Sequence, residues 1–226
     1  MSSTRWKGKC ALVTGASSGI GSGVALQLAE MGMKVAISAR RQDRLMALRE
    51  ALLEKGAEDV LVLPMDMRDE KTILEGFNQV KSTWATGIHV LINNAGLGVM
   101  APLMTGETEA WRNMLEVNVL GLSIATREAI AQMTQHGEPA HIIHISSMSG
   151  HRVPGGSGMY SASKYAVRAL TEGLRKELRA AGSPIRVSAI SPGFVRTEFA
   201  EKYHGSEEVA EEVYSRFPVL QVDDMG

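Results

Sequence analysis

Two side chains that can exchange protons, Tyr160 and Lys164, are four residues apart in the stretch Ser157–Leu170. Small and apolar residues recur there at helical spacing, so the pair would lie one turn apart on one helix face. A close ammonium group favours the ionised phenol and lowers its pKa. This arrangement suits acid–base chemistry near neutral pH. Ordinary residue usage also produces Tyr-x-x-x-Lys, so the pair taken alone indicates a surface or packing contact.

Three glycines, Gly15, Gly19 and Gly21, follow the apolar run Cys10–Thr14 and open a helical pattern. Gly15 permits a tight exit from a strand, and Gly19 lets the backbone approach a phosphate closely. Gly21 allows the helix to pack against the sheet. The turn therefore predicts a dinucleotide phosphate site, with a ligand-free glycine turn as the alternative. Further cofactor contacts are expected from Ser17, Ser18 and Ile20.

The same segment also fits the G-x-S-x-G nucleophile elbow of hydrolases, with Ser17 as the nucleophile. An elbow at the first strand leaves no upstream segment to supply a second oxyanion donor. The additional glycine is also unnecessary for a hydrolase. A serine hydrolase is therefore kept only as the rival from another enzyme class.

The end of the second predicted strand distinguishes between nicotinamide cofactors. An NAD site needs an acidic residue about 20 residues after the glycines, to bind the ribose hydroxyls. Here the strand is followed by Arg40 and Arg41, with no carboxylate at its tip. A guanidinium group suits a 2′-phosphate, although two arginines could also form a solvated helix start. The sequence favours NADP over NAD.

Short apolar runs alternate with longer amphipathic stretches along the whole chain. Strands are predicted at Cys10–Thr14, Lys34–Ala39, Val60–Leu63, His89–Asn93, His141–Ser147 and Ile185–Ser191. Helices are predicted at Ile20–Glu30, Gln42–Lys55, Glu70–Trp84, Thr108–Gln135 and Ser157–Ala181. Strands without strict alternation, each followed by a helix, indicate an α/β fold with a doubly wound parallel sheet, and residues 1–226 form one domain.

Composition excludes several function classes. The chain has 226 residues, 44% of them hydrophobic, and a formal net charge of −1, so neither nucleic acid nor an acidic membrane surface is an expected partner. No apolar run approaches the ~18 residues of a membrane span, and a cytoplasmic location is expected. The single cysteine, Cys10, is interpreted as a buried core residue. His141 and His144 would point to opposite faces of a strand, and no catalytic metal is predicted.

Polar residues follow the third and fourth predicted strands. Small side chains there would let the chain run beside an adenosine, although asparagines in such positions often only complete a turn. Cofactor contacts are expected from Asp66, Met67, Asn93, Ala95 and Gly96. Asn118 lies inside a predicted helix, where asparagine is unfavourable. We therefore expect it to cap the helix, to bend it or to take part in chemistry.

Four motifs occur in one order: Thr14-Gly15 with Gly19-x-Gly21, Asn93-Asn94-Ala95-Gly96, Ser147, and Tyr160-x-x-x-Lys164. Together with Asn118 and Pro192-Gly193 they resemble the short-chain dehydrogenase/reductase (SDR) family, from about Trp6 to Thr197. The segments Ile145–Val153 and Leu170–Leu178 are similar to the dehydrogenase/reductase member 11 group, which includes NADP-dependent ketosteroid reductases and insect farnesol dehydrogenases. Arg40–Leu45 also resembles bacterial 3-hydroxy acid dehydrogenases.

This resemblance implies roles for the motif residues. Tyr160 would protonate the substrate oxygen, and Lys164 would lower the pKa of Tyr160 and hold the nicotinamide ribose. Ser147, which the family spacing selects over Ser146 and Ser149, would hydrogen-bond the same oxygen. Asn118 would anchor a water on a proton path from Lys164. Nicotinamide contacts are expected from Pro192, Gly193, Val195 and Thr197.

Substrate choice is expected from apolar residues around the site and from a lid at residues 194–220. These side chains either bind a hydrophobic alcohol or ketone or pack the lid onto its own domain. The residues concerned are Met100, His151, Val153, Met159 and Phe194.

Family members usually continue with a further helix and a last parallel strand, so we expect an open sheet edge here. With that strand present, a homodimer or homotetramer would be expected. A non-catalytic NADP-binding sensor is the remaining alternative, but it has no need of Ser147, Tyr160 and Lys164 together.

Overall fold

Six parallel strands form the centre of the computed structural model, which describes residues 5–225, in the order β3-β2-β1-β4-β5-β6. They are β1 (Cys10–Thr14), β2 (Lys34–Ala39), β3 (Asp59–Pro64), β4 (Val90–Asn93), β5 (His141–Ile145) and β6 (Arg186–Ile190). The strand order reverses between β1 and β4, which leaves a crevice at the carboxyl ends of these strands. The predicted fold class is confirmed.

The strands form where apolar residues run without interruption, because both faces of the sheet are covered. All five residues of β1 are buried, and Leu12 pairs with Ala36 of β2 on one side and Leu91 of β4 on the other. The predictions for β1 and β2 are correct to the residue, and those for the other strands differ by one or two residues at an end. β6 is the edge strand of the described sheet next to β5, and Ile190 on it is 39% exposed.

Eight α-helices surround the sheet in the part of the chain that the structure describes. They are α1 (Gly19–Glu30), α2 (Gln42–Glu54), α3 (Glu70–Trp84), α4 (Thr108–Leu115), α5 (Leu122–His136), α6 (Gly158–Ala180), α7 (Glu198–His204) and α8 (Glu207–Arg216). Ala25 and Leu52 of α1 and α2 belong to the core on one face. Phe77, Met133 and Leu178 of α3, α5 and α6 belong to the core on the other face. This two-faced arrangement leaves the strand ends open for a ligand.

The predicted helix Thr108–Gln135 is interrupted. A π-helical turn, Glu116–Gly121, separates α4 from α5. Two local contacts accompany it: Asn118 directs its amide to the backbone of Leu97, and Gly121 packs so tightly that an added Cβ would lie 2.2 Å from the Met67 carbonyl oxygen. Apolar spacing alone did not reveal this break.

The segment after β6 contains α7 and α8, and backbone hydrogen bonds join its two ends. Leu220 donates its N–H to Phe194 O at 2.9 Å, and Arg196 donates to Leu220 O at 2.9 Å. A 3-10 turn, Val222–Met225, follows and places Val222 against Gly23 of α1. The predicted lid, residues 194–220, is therefore a closed loop of two helices. Residues 1–4 and 226 of the predicted domain lie outside the described residues.

Among residues 5–225, no helix combines the length and the apolar character that crossing a bilayer requires.

Candidate active site

A cavity of about 990 Å³ opens at the carboxyl ends of the strands. Its wall combines the turn between β1 and α1, the tips of β2 and β3, the segments after β4 and β5, the start of α6, and the lid. This is the crevice where a doubly wound sheet binds its ligands.

The glycine turn is built for close backbone contact. Gly15 and Gly19 have φ angles of +66° and +61°, a region that favours glycine. An added Cβ on Gly15 would lie 2.7 Å from Ala95 Cα, and one on Gly21 would lie 2.6 Å from Gly15 O. Ser17, Ser18, Gly19 and Ile20 line the cavity, while Gly21 lies behind the turn and permits its packing. The start of α1 therefore presents backbone N–H groups to the cavity, which suits a phosphate.

Arg40 and Arg41 both line the cavity next to this turn. The Arg41 guanidinium donates to Ser17 Oγ at 3.0 Å and to Ser18 Oγ at 2.7 Å, and it pairs with Glu198 of α7 at 3.0 Å. Arg40 is exposed. A guanidinium held against the phosphate turn fits a 2′-phosphate.

Ser17 is a poor candidate for a hydrolytic nucleophile. Its hydroxyl accepts hydrogen bonds from two nitrogen atoms of Arg41, at 3.2 Å and 3.0 Å. A guanidinium group has only N–H donors and no acceptor, so Arg41 cannot take the proton of Ser17. The geometry therefore argues against the hydrolase alternative.

Asp66 and Met67 line the cavity beyond β3. Asp66 forms a hydrogen-bonded ion pair with Arg68, which lowers the pKa of the carboxyl group below its usual value and keeps it ionised. Ala95 and Gly96 also line the cavity, as predicted for the segment after β4.

Asn94, and not the predicted Asn93, lines the cavity after β4. Asn93 is 2% exposed, lies outside the cavity wall and donates to Thr126 Oγ1 at 2.8 Å. Asn94 lines the cavity and donates its amide to Thr14 O at 2.9 Å and Gly15 O at 3.1 Å. Successive side chains in a strand point to opposite faces, which turns Asn93 toward α5. Asn94 therefore joins the segment after β4 to the glycine turn, a role that the sequence analysis missed.

Ser147, Tyr160 and Lys164 line the same cavity. Burial raises the pKa of Tyr160 to about 12, and the Ser147 hydroxyl, which faces the phenol, offsets part of the rise. Ser146, by contrast, is buried and donates to Lys164 O at 3.3 Å. The structure thus supports Ser147 over Ser146 as the hydroxyl beside Tyr160.

Lys164 is 5% exposed and donates to Ile145 O at 3.0 Å. Burial lowers its pKa to about 8. The Lys164 Nζ atom lies 5.9 Å from the centroid of the Tyr160 ring, and burial dominates the pKa shifts of both groups. Lys164 was expected to lower the pKa of Tyr160; in this structure burial raises that pKa instead, and the Lys164 ammonium group donates to a backbone carbonyl.

Asn118 lies in the π-helical turn and outside the cavity wall. Its Oδ1 accepts from Leu97 N at 2.9 Å, and its Nδ2 donates to Leu97 O at 2.8 Å and Ser163 Oγ at 3.0 Å. An added Cβ on Gly96 would lie 3.4 Å from both Asn118 Oδ1 and Lys164 Nζ. Asn118 therefore holds the segment after β4 against α6, next to Lys164.

The lid covers the phenol. The rings of Phe199 and Tyr203, both on α7, lie with centroids 5.6 Å from that of Tyr160, which is only 8% exposed. Thr197 accepts from Phe199 N at 3.2 Å and so begins α7. Pro192, Gly193, Val195 and Thr197 line the cavity on this side.

The predicted substrate residues divide into two sets. Met100, Val153 and Phe194 line the cavity. His151 and Met159 do not: His151 is exposed and hydrogen-bonds Ser191 Oγ at 2.9 Å, and Met159 packs with the small core cluster next to Tyr160. Tertiary contacts hold these two side chains outside the cavity wall, and such contacts were not visible in the sequence.

Comparisons with known proteins agree with this geometry. A family model described as short chain dehydrogenase matches residues 9–208. Dehydrogenase/reductase SDR family member 11 of Gallus gallus is 46% identical over 98% of this chain and 89% of its own length. Farnesol dehydrogenase of Aedes aegypti is 43% identical over 86% of this chain and 80% of its own length. The chain belongs to the short-chain dehydrogenase/reductase family and is an oxidoreductase of that family.

Two solved structures share the fold. An SDR from Burkholderia phymatum in complex with NAD superposes with a TM-score of 0.89, at 29% identity, covering 97% of this chain and 83% of the other. The closed form of serine dehydrogenase complexed with NADP+ gives a TM-score of 0.87, at 32% identity, covering 95% and 85%. Family members thus bind nicotinamide dinucleotides of both kinds.

Proposed function

We propose that this chain is an NADP-dependent oxidoreductase that interconverts an alcohol and its ketone or aldehyde, with a hydrophobic substrate such as a ketosteroid or an isoprenoid alcohol. The observation that carries the proposal is the presence of Ser147, Tyr160 and Lys164 in the wall of the cavity that also contains the glycine turn. A binding protein without turnover would not need a phenol, a hydroxyl and an ammonium group together in the wall of a dinucleotide cavity.

A bound nicotinamide dinucleotide would supply or accept the hydride. Tyr160 donates its phenolic proton to the substrate oxygen during reduction and takes it back during oxidation. Burial raises the pKa of Tyr160 to about 12, so the phenol carries this proton at neutral pH. The Ser147 hydroxyl hydrogen-bonds the same oxygen as negative charge develops on it.

Lys164 and Asn118 act behind this pair. Lys164 would hold the nicotinamide ribose with the N–H donors of its ammonium group that Ile145 O does not use. Asn118 uses both amide atoms on protein partners and so positions the segment after β4. Its role in a water-linked proton path stays a prediction.

NADP is proposed because the two residues directly after β2 are arginines and no carboxylate lies at the tip of the strand. We expect Arg40→Asp and Arg41→Asp each to weaken NADPH binding and shift preference toward NADH. Titration of both reduced cofactors by nucleotide fluorescence measures this shift. Unchanged NADPH affinity in both variants would refute the cofactor assignment.

A hydrophobic substrate is proposed because aromatic lid side chains border the phenol. The Phe194 and Phe217 rings stack with centroids 5.0 Å apart, and both residues line the cavity. The similarity to a relative named farnesol dehydrogenase supports the same class. The test is NADPH oxidation, followed by the absorbance of the reduced nicotinamide, against ketosteroids, farnesal, diketones and short 3-oxo acids.

The Tyr160→Phe variant is the control for that panel. We expect kcat to fall by about 10²- to 10⁴-fold, as for loss of a general acid, while NADPH binding is retained. Turnover that persists in the variant would refute the role of Tyr160. Tight NADPH binding without turnover of any substrate would favour the sensor alternative.

A 3-hydroxy acid dehydrogenase is the second candidate, because Arg152 lines the cavity and could pair with a substrate carboxylate. The short 3-oxo acids in the panel test it. Activity confined to these acids and lost in Arg152→Ala would select this candidate over the hydrophobic substrates.

Assembly into a homodimer or homotetramer is part of the proposal. Leu115, Leu120 and Tyr165, on the π-helical turn or its neighbouring helices, are 41%, 56% and 40% exposed, which suits contact with another chain. Sedimentation equilibrium tests the oligomeric state, and a monomer at micromolar concentration would exclude both assemblies. A cytoplasmic location stays a prediction from the composition.

A further inference from the structure

Three cations converge on one carboxylate where the lid meets the phosphate turn. Glu198, the first residue of α7, pairs with Arg41 at 3.0 Å, with Arg44 of α2, and with Lys202 at 2.6 Å. These contacts hold the pKa of Glu198 at about 2, with Lys202 the largest contributor, so the carboxylate is ionised at neutral pH. The lid therefore brings a fixed negative charge to this part of the cavity.

Arg41 connects that charge to the glycine turn. One side of its guanidinium faces the hydroxyls of Ser17 and Ser18, and its Nη1 faces Glu198. Arg41, Glu198, Ser17 and Ser18 all line the cavity. A carboxylate and a phosphate use the same guanidinium donors, so a phosphate beside Ser17 and Ser18 would meet an arginine whose remaining edge is already occupied.

We propose that Glu198 competes with the 2′-phosphate of NADPH for Arg41, so that this lid residue sets the affinity for the phosphorylated cofactor. The inference rests on the proposed NADP-dependent function. Three positive charges face one carboxylate, which leaves an excess of two for an incoming phosphate of nearly two negative charges. Removing the carboxylate raises the excess to three and frees the Nη1 edge of Arg41, so phosphate affinity rises.

If the ion pair of Glu198 were purely structural, the change in phosphate affinity would have the opposite sign. If Glu198 served only to orient Arg41, its removal would loosen the guanidinium and weaken phosphate binding. The two roles are therefore separated by the direction of the change, independently of catalytic turnover.

The test is calorimetric titration of the full chain with 2′,5′-ADP, which carries the 2′-phosphate, and with 5′-ADP, which lacks it. We expect Glu198→Gln to raise the affinity for 2′,5′-ADP by about threefold to tenfold, as for removal of one partly exposed charge contact, and the affinity for 5′-ADP by less than about twofold. Glu211→Gln is the matched control, because Glu211 also lies in the lid but pairs with Arg196 at 2.5 Å. It should change neither affinity by more than about twofold.

The outcomes separate this inference from the cofactor assignment. If wild type prefers 2′,5′-ADP and Glu198→Gln binds it no more tightly, the competition is refuted and the NADP assignment stands. If only the variant prefers 2′,5′-ADP, the competition stands and the native protein is not selective for NADP. If neither protein distinguishes the two probes, both ideas fail. An equal rise in 2′,5′-ADP affinity in Glu211→Gln would show that the effect comes from overall charge. That result would refute the specific role of Glu198.

Discussion

Replacing Lys164 by methionine should stabilise the fold while it abolishes activity. The buried ammonium group has its pKa lowered from 10.5 to about 8, which corresponds to about 3 kcal/mol of unfolding free energy lost at pH 7. Methionine keeps the apolar stem and removes the charge, but it leaves Ile145 O without this donor, at a cost of about 1–3 kcal/mol. We therefore expect Lys164→Met to be more stable than wild type by up to about 2 kcal/mol at pH 7.

The pH dependence of the unfolding free energy tests the cost of the buried Lys164 charge more sharply. Between pH 8 and 10.5 the folded chain has released the Lys164 proton and the unfolded chain still holds it, so the stability of wild type rises with pH in this window. Relative to Lys164→Met, wild type should gain about 2 kcal/mol between pH 7 and pH 9.5. Subtracting the variant cancels the other groups that titrate in that range.

Urea unfolding followed by circular dichroism at both pH values measures these differences. Lys176→Met is the matched control, because Lys176 lies on the same helix with its side chain 75% exposed, and we expect its stability to change by less than about 0.5 kcal/mol. A Lys164→Met variant that is less stable than wild type at pH 7, or that shows the same pH slope, would refute the reasoning that the buried charge is costly.

Two glycines give further predictions. Gly21→Ala would place its Cβ 2.6 Å from Gly15 O, so we expect about 1–3 kcal/mol of lost stability in urea unfolding and at least tenfold weaker NADPH binding by titration; wild-type values for both would contradict the packing role. Gly98→Ala would place its Cβ 2.8 Å from the Tyr203 ring, so we expect it to displace the lid and lower kcat/KM at least tenfold. Gly173→Ala, on α6 and outside the cavity wall, meets no described atom within 4 Å and should be as active as wild type, and a Gly98→Ala variant as active as this control would exclude the lid contact.

The sequence predicted the sheet and the glycine turn well because both depend on local requirements. A strand covered on both faces needs a continuous apolar run, and a tight turn against a phosphate needs glycine at fixed places. Cys10–Thr14 and Gly15 meet these requirements without help from distant residues. The family motif likewise selected Ser147 over its serine neighbours.

Tertiary packing decided what the sequence did not show. Whether Asn93 or Asn94 reaches the cavity depends on the residue at which β4 ends and on which face its last side chain takes. The direction of the Tyr160 pKa shift depends on how deeply the lid buries the phenol, which no local spacing encodes. The pairing of Glu198 with Arg41 joins residues far apart in sequence through the fold of the lid.

The π-helical turn has a consequence for how sequences of this kind are compared. A π turn carries one residue more than an α-helical path between the same ends, so each side chain after it is rotated by about 100° from the position that a continuous helix would give. In this chain the surplus residue falls around Asn118, where the amide turns to the backbone of Leu97. A relative that lacked one residue here and formed a continuous α-helix would align with a single gap and would present the same face to the site from that point onward.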